Sequence, residues 1–468
     1  MPRKKQSACE DRQTVQRPRT TSVMGAPGVW CAFGGPAAAL MIALALVAAP
    51  TLAQSRAELE KVLRRRVLAN GMEIVVVESH GVPLATLEID VRNGAYTQPP
   101  EYEGLAHMYE HMFFQANAAF PDYDRFSGRT SELGAVYNGS TQEERVNYYL
   151  TVPADSAEGA MALLAAALRS PLFREDELAR EKYVVLGEYD RAESNPFFAF
   201  SNEMLRRLYP GSFSRKNVIG NRDVIRTVTP AKMQLIQRRY YVPNNSVLIV
   251  TGDVDPERVF AMAERAFGDW PKGADPFVAT PVPAIPPLAR TEGVVAEAPT
   301  SAVTVLLQWQ GPSVQKDPGA TYAADVFSDV MNTAGSTFQR RLVDSGLWQG
   351  VLVNYYTLNQ VGPITISGQT TADKLRPALA ALDAEIAHMA DSGYFSRDEL
   401  EAVKAQRAVS SAFGLERASS LAHTIGFCGA SPTWTTSWDT WTTWRSSGPP
   451  TSGRTHAPTS SARRAWWA

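Results

Sequence analysis

The chain has 468 residues, with 46 lysines and arginines against 48 aspartates and glutamates, a formal net charge of −2. This balance, without a polybasic face, argues against nucleic acid as a partner. Cys428 is the only cysteine after residue 53, so that part of the chain can form neither an internal disulfide nor a thiolate metal cluster. The length is sufficient for two or more domains with substantial cores.

The first 53 residues are expected to be a signal peptide rather than part of the fold. Basic residues precede an apolar run over residues 36–49, and the small residues Thr51 and Ala53 suit cleavage after Ala53. We therefore expect an exported protein, periplasmic or secreted, without a stable membrane anchor after cleavage. The alternative is a membrane anchor, although the apolar run is short for a span. Whether Met24 is the true start stays open.

Beyond the leader, the pattern predicts a short helix over residues 56–65 and then two strands. Asn70 and Gly71 are typical of a turn that leads into an apolar run over residues 72–77. Residues 84–91 then alternate apolar and polar side chains, as expected of a half-buried strand.

The next predicted helix carries His107, Glu110 and His111. Side chains at positions i, i+3 and i+4 share one face of a helix. Two imidazoles and one carboxylate on one face suit a divalent metal with an adjacent acid/base group. The spacing is the inverted form of a zinc-peptidase motif. The alternative is a surface helix with incidental polar groups.

A long helix predicted over residues 174–191 supplies further carboxylates. Two imidazoles are too few protein ligands for a catalytic zinc, which usually has three and a water. Glu181 and Glu188 are about two helical turns apart and so share a face. Glu188 lies among apolar residues, and a buried carboxylate needs a cation or hydrogen-bond donors. Its alternative role is a salt bridge on the helix face, and Glu181 could equally be solvated.

These residues resemble the insulinase/pitrilysin family of zinc peptidases, which includes the mitochondrial processing peptidase. The family combines a histidine–glutamate motif with a distant glutamate, and the interval from His111 to Glu188 matches its usual spacing. The resemblance implies one Zn²⁺ per chain, with His107, His111 and Glu188 as ligands. It further implies that Glu110 is the catalytic acid/base and that Glu181 is the accessory glutamate behind the ligands.

Two further segments are similar to this family. Residues 134–141 resemble its glycine–asparagine–threonine segment, which implies that Asn138 contacts the substrate backbone. The alternative for Asn138 is an ordinary turn residue. Residues 241–253 are similar to the strand that closes the family's first domain.

The expected fold class is α+β, with two homologous domains that each contain a mostly antiparallel sheet packed with helices. We expect a metal-binding peptidase domain over residues 58–275, a proline-rich linker over residues 276–290, and a truncated second domain over residues 291–428. The second domain repeats the pattern of the first but contains only the isolated His388 and His423. We therefore expect it to be a non-metal, structural repeat.

Residues 429–468 do not fit either domain. From Ser431 onward there is no Leu, Ile, Val, Met or Phe, although many of the tryptophans of the chain occur here. We expect an aberrant or disordered tail, and our hypothesis is a reading-frame slip near Cys428. A genuine low-complexity tail is the alternative.

The predicted function is that of a zinc-dependent endopeptidase that hydrolyses peptides or unfolded polypeptide segments through a metal-activated water. In this function Glu110 takes a proton from the water and passes it to the leaving amine. The alternatives are a non-catalytic scaffold or partner subunit of a peptidase-like complex, and an inactive frameshifted product.

The resemblance also implies a partner. Relatives close a chamber from four such domains, whereas this chain supplies two. Active members carry an arginine and a tyrosine in the non-metal half, and residues 338–348 contain no clear pair of this kind. We therefore expect a homologous second subunit, which forms a heterodimer with this chain. The alternative is a homodimer in which Arg341 and Trp348 hold the substrate.

Overall fold

The structure, a computed structural model, describes residues 61–391 and 393–429. The predicted leader over residues 1–53 lies outside this part of the chain. The predicted tail also lies outside it, apart from Gly429, which ends the last described helix.

The first half of the described chain alternates strands and helices. Its strands are β1 (Leu63–Val67), β2 (Glu73–Glu78), β3 (Leu84–Val91), β4 (Val136–Thr141), β5 (Val146–Pro153) and β6 (Ser246–Gly252). Its helices are α1 (Leu105–Phe113), α2 (Tyr123–Glu132), α3 (Ala157–Arg169), α4 (Glu175–Glu193), α5 (Phe198–Leu208), α6 (Arg222–Thr227), α7 (Pro230–Tyr240), α8 (Pro256–Phe267) and the short α9 (Pro276–Ala279).

The second half is shorter. Its strands are β7 (Val303–Gln310), β8 (Gly350–Tyr355) and β9 (Pro363–Thr370). Its helices are α10 (Pro318–Asn332), α11 (Thr337–Gln339) with a π-helical turn (Arg340–Asp344), α12 (Leu375–His388), α13 (Arg397–Glu416) and α14 (Ala418–Gly429).

The sheet of the first half has the strand order β1-β2-β6-β3-β5-β4. All neighbouring strands are antiparallel except β2 and β6, which are parallel. The apolar side chains on one face of its central strands form one core with helices that include α1, α3 and α8. Burial of this apolar area is the main stabilising contribution to the half. Because β4 is at the end of the order, one edge of the sheet lies beside α1.

The sheet of the second half has the order β7-β9-β8, and both pairings are antiparallel. The order and the directions repeat those of β3-β5-β4 in the first half. A core that contains Phe338, Leu342 and Trp348 packs below it. The predicted fold class of two homologous domains, each a mostly antiparallel sheet packed with helices, is confirmed. The domain boundaries stay predictions.

The helix expected over residues 56–65 is wrong for its last three residues. Leu63–Val67 form β1, which pairs along its whole length with β2, Leu63 opposite Val77. Four of its five side chains are exposed. The periodicity of the side chains therefore does not determine the conformation of this segment. Its conformation is determined by the backbone hydrogen bonds to β2, which follows after a short turn.

The outer face of the first sheet is covered by α14, which comes from the end of the second half. Leu421, Ala422 and Ile425 pack against valine and isoleucine side chains of β2 and β6. His423 of the same helix bonds through Nδ1 to the buried Glu88 of β3. The second half therefore contributes directly to the packing of the first.

A buried polar junction joins the two halves at the turn between β4 and β5. Arg215 Nη2 donates to Glu144 Oε1 at 2.6 Å, and the backbone N–H of Asn359 donates to Glu144 Oε2 at 2.7 Å. The Tyr356 hydroxyl donates to Glu143 Oε2 at 2.6 Å. The loop between β8 and β9 thus binds the turn of the β4–β5 hairpin, which is its counterpart in the first half.

No helix within the described residues is both long enough and apolar enough to cross a membrane.

The buried ion pair of this junction gives a test of stability. The side chains of Arg215 and Glu144 are 2% and 7% exposed. Arg215→Ala leaves the carboxylate buried without its charged partner, so the free energy of unfolding should fall by about 3–5 kcal/mol. Urea denaturation measures this change.

The matched control is Arg226→Ala, which removes an exposed ion pair with Asp223. That change should lower the free energy of unfolding by about 0–1 kcal/mol. Equal effects of the two substitutions would contradict the structural role of the junction.

Candidate metal centre

Helix α1 carries the predicted motif and is fixed by its other face. Met108, Tyr109 and Met112 are buried in the core of the first half. Its N-cap Gly104 has φ +91°, and a Cβ there would lie 2.7 Å from the carbonyl oxygen of Ile219. The turn before the motif therefore requires glycine. With one face anchored, His107, Glu110 and His111 lie together on the half-buried face.

Helix α4 brings Glu188 to both imidazoles. Glu188 Oε2 lies 3.4 Å from His107 Nε2 and 3.7 Å from His111 Nε2. The two imidazole rings are 4.9 Å apart between centroids, with planes at 83°. One donor atom from each of the three residues lies within 4.8 Å of the other two.

Two other glutamates on the same stripe of α4 tie it to α1. His111 Nδ1 donates to Glu181 Oε2 at 3.0 Å, and Gln115 Nε2 donates to Glu181 Oε1 at 3.2 Å. The buried Glu177 accepts from the backbone N–H of Ala116 at 3.2 Å. The Glu181 contact requires the proton of neutral His111 on Nδ1, which leaves Nε2 free to bind a metal.

Burial and neighbouring charges set the protonation of the two imidazoles. Burial, reinforced by the nearby His111, lowers the pKa of His107 to about 4. Burial also acts to lower the pKa of His111, but the hydrogen bond to Glu181 and the surrounding carboxylates outweigh it and raise that pKa. His107 is therefore neutral near pH 7, as a metal ligand must be, and the carboxylates around His111 favour a positive charge at this position.

The third motif residue, Glu110, lies against β4. The Thr141 hydroxyl donates to Glu110 Oε2 at 2.6 Å. Burial raises the pKa of Glu110, and this hydrogen bond partly opposes the rise. Asn138 is on the same strand, and its exposed side chain accepts from the backbone N–H of Gly139 at 2.9 Å.

The donor set fits zinc. Tetrahedral zinc with bonds of about 2.0–2.2 Å places neighbouring donors roughly 3.3 Å apart. The two nitrogen-to-oxygen distances of 3.4 and 3.7 Å are close to this value. Two imidazoles and one carboxylate also leave a fourth position for water, as in catalytic sites. In the part of the chain that the structure describes, this is the group of His, Cys, Asp and Glu donors that could hold a metal.

The structure thus brings together the two histidines and the glutamates that the sequence singled out, although their roles stay predictions. His107, His111 and Glu188 face one another, and Glu181 contacts His111. Asn138 is on β4 but alternates with Gly139 and Thr141, so its side chain lies on the other face of the strand from Glu110. Sequence reasoning missed the contact of Thr141 with Glu110. Thr141 belonged to the glycine–asparagine–threonine segment, but nothing in the sequence indicated which side chain its hydroxyl would meet.

Two family models match this chain. Residues 73–216 match the model described as insulinase (peptidase family M16), and residues 227–407 match the peptidase M16 inactive domain. The chain belongs to the insulinase family, peptidase family M16. The second match agrees with the expectation of a non-metal second domain. At the level of the family the chain is a zinc-protease-like hydrolase.

Two curated relatives are zinc proteases by name. The chain is 25% identical over 361 residues to the uncharacterized zinc protease YmxG of Bacillus subtilis, which covers 76% of this chain and 86% of that protein. It is 24% identical over 206 residues to an uncharacterized zinc protease of Rickettsia felis, which covers 44% of this chain and 50% of that protein. The match therefore spans about half the length of the second relative.

Solved structures share the fold. A protease from Helicobacter pylori superposes with a TM-score of 0.71 at 20% identity, over 83% of this chain and 94% of that one. The periplasmic protease PqqL from Escherichia coli superposes with a TM-score of 0.64 at 19% identity, over 82% of this chain but 46% of that one.

The ligand assignment leads to a direct test. Glu188→Gln replaces a charged oxygen donor by a weak neutral one, so zinc content after dialysis should fall well below the roughly one ion per chain expected of the unmodified protein. Metal analysis by inductively coupled plasma mass spectrometry measures it.

Glu175→Gln is the matched control, because Glu175 is an exposed residue of the same helix. This variant should retain zinc at the level of the unmodified protein. Full zinc occupancy in Glu188→Gln would remove Glu188 from the ligand set.

Proposed function

We propose that the protein is a zinc-dependent endopeptidase that acts on peptides or unfolded polypeptide segments. The observation that carries this proposal is the convergence of His107, His111 and Glu188 beside Glu110, in a geometry that fits an open zinc site. Membership of the insulinase family supports hydrolysis of peptide bonds as the class of reaction.

In this proposal each side chain of the site has its own role. His107, His111 and Glu188 hold the zinc ion, and Glu181 orients His111 through its Nδ1–H. Bound zinc supplies a Lewis acid that polarises the peptide carbonyl and lowers the pKa of water. Glu110 takes the proton from the attacking water and donates it to the amine that leaves.

The edge of the first sheet provides a place for the substrate. Strand β4 pairs with β5 on one side and is the last strand in the order of the described sheet. Its exposed Asn138 is in the strand that contacts Glu110 through Thr141. An extended peptide beside β4 would meet backbone donors and acceptors as well as the amide of Asn138. This arrangement favours substrates without stable secondary structure.

The competing function is a non-catalytic scaffold or partner subunit. A scaffold needs neither the two imidazoles nor a carboxylate that holds one of them in the metal-binding tautomer. The complete donor set and the hydrogen bond from His111 to Glu181 therefore favour the enzyme.

The chemical role of Glu110 can be separated from metal binding. Glu110→Gln keeps the shape of the side chain but cannot take a proton, so hydrolysis of an unstructured fluorogenic peptide should slow by about 10²-fold or more. Zinc content should not change. Glu175→Gln again serves as the control, with unchanged hydrolysis. Loss of zinc from Glu110→Gln would mean that Glu110 is a ligand and would contradict the proposed role.

We also propose that a homologous second subunit completes the active site. This chain corresponds to 46% of the chain of PqqL, which supports a second unit of similar size. Trp348 is 2% exposed in the second core, and its Nε1 donates to the carbonyl of Ala378 at 3.1 Å. Arg341 pairs with Glu385 at 3.0 Å. Arg341 stays 53% exposed in this ion pair, whereas the buried Trp348 is not accessible to a substrate as the homodimer alternative requires. The burial of Trp348 therefore favours the heterodimer.

The partner proposal predicts a weak enzyme when the chain is purified alone. It should bind zinc but hydrolyse an unstructured peptide slowly, and co-expression with a family member that lacks the histidine motif should raise the rate by at least tenfold. Light scattering after size exclusion should then show a heterodimer. Fast hydrolysis by the lone chain would exclude the heterodimer and leave the zinc assignment intact.

An exported location remains part of the proposal. It is supported by the predicted signal peptide and by the fold shared with PqqL, a periplasmic protease.

A further inference from the structure

The side chain of Glu110, which projects from α1, is also held in place by strand β4. Thr141 is the last residue of β4, and its hydroxyl donates to Glu110 Oε2 at 2.6 Å. Two residues earlier, the main chain of Gly139 packs against the same side chain. A Cβ on Gly139 would lie 2.9 Å from Glu110 Cγ and 3.3 Å from Phe114 Cε2. The side chain of Glu110 therefore lies against β4 from its Cγ to its carboxylate.

The hairpin that carries Thr141 is itself held at its turn. Thr141 pairs with Val146 across the hairpin, and the N–H of Gln142 donates to the carbonyl of Arg145 at 2.9 Å. The following turn is bonded to the second half through Glu143 and Glu144, as described above. Thr141 therefore belongs to a hairpin whose turn is fixed by hydrogen bonds, and not to a free loop.

We infer that Thr141 is a positioning residue for Glu110: its hydroxyl fixes one carboxylate oxygen and leaves the other for the proton of the attacking water. This inference rests on the proposed function of Glu110. A carboxylate that accepts a hydrogen bond at Oε2 keeps the lone pairs of Oε1 available. Without the hydroxyl, the side chain can rotate, and its carboxylate can turn toward the neighbouring imidazoles and Glu188.

The first measurement is steady-state hydrolysis of an unstructured fluorogenic peptide by Thr141→Val, which keeps the shape of the side chain and removes the donor. We expect kcat to fall about tenfold, a part of the 10²–10⁴-fold that a positioned general base contributes. KM should stay within twofold, and zinc content should not change. Thr141→Ser restores the donor and should recover most of the lost kcat.

The matched control is Thr227→Val, because the hydroxyl of the exposed Thr227 also makes a short hydrogen bond, at 2.7 Å, but donates to the carbonyl of Asp223 within its own helix α6. This variant should keep the kcat of the unmodified protein. The inference is overturned if Thr141→Val keeps full kcat, if it loses zinc, or if Thr141→Ser is no better than Thr141→Val.

The second measurement does not depend on hydrolysis. The visible absorption spectrum of the cobalt(II)-loaded protein reports the number and geometry of the metal's ligands. If Thr141 restrains Glu110, its removal lets the Glu110 carboxylate turn toward the metal, so the spectrum of Thr141→Val should differ from that of the unmodified protein. The spectra of Thr141→Ser and Thr227→Val should match it. Identical spectra in all four proteins would overturn the restraint. The expected spectral difference in a protein that cleaves no peptide would uphold the restraint and contradict the proposed function instead.

Discussion

Charge clustered between α1 and α4 and partly removed from water is the constraint on which the site depends. Glu110, Glu181 and Glu188 surround two imidazoles whose side chains are 16% exposed. Carboxylates removed from water need compensating cations or hydrogen-bond donors. The hydrogen bond to Glu181 and the neighbouring carboxylates outweigh burial and raise the pKa of His111, which favours its protonated form in the absence of a metal. A zinc ion among the three donors would supply the compensating charge more completely, so metal binding should stabilise the packing of the two helices as well as prepare the chemistry.

The rest of the first half serves to hold these two helices and β4 in place. The apolar face of α1 is anchored in the core, and Glu177 binds the chain just beyond α1 to α4. The second half has no comparable metal site in its described residues, but it covers the first sheet with α14 and bonds to the β4–β5 turn. The second half therefore contributes through packing and hydrogen bonds, which fix strand β4 against Glu110.

The sequence was sufficient for the chemistry that depends on helical spacing. Positions 107, 110 and 111 share a helical face whatever the rest of the fold does. The choice of Glu188 needed the spacing known from the family, because its apolar neighbours indicated burial whereas its side chain is 34% exposed. The alternation of residues 84–91 correctly indicated a strand, and the strand patterns of the second half also led to the correct fold class. The expectation that β3 is half-buried was wrong: its polar side chains Thr86, Glu88 and Asp90 are buried as well, because α14 covers the outer face of the sheet.

Features that depend on contacts between residues distant in the sequence could not be predicted from the sequence alone. Residues 63–65 were expected to be helical but pair with β2, because the ladder rather than local preference decides their conformation. His423 was taken as an isolated residue, yet it bonds to Glu88 of β3. The hydrogen bond from Thr141 to Glu110 joins two elements whose separation in space is set by the whole sheet. No local pattern encodes such contacts.

The central claim is that one zinc ion binds between α1 and α4 through two imidazoles and one carboxylate. X-ray absorption at the zinc K edge of the purified protein tests it most directly. We expect the zinc to be coordinated by nitrogen and oxygen atoms only, at about 2.0–2.1 Å, with the multiple-scattering pattern of two imidazoles. A protein that retains no zinc, or a shell with fewer than two imidazoles, would contradict it.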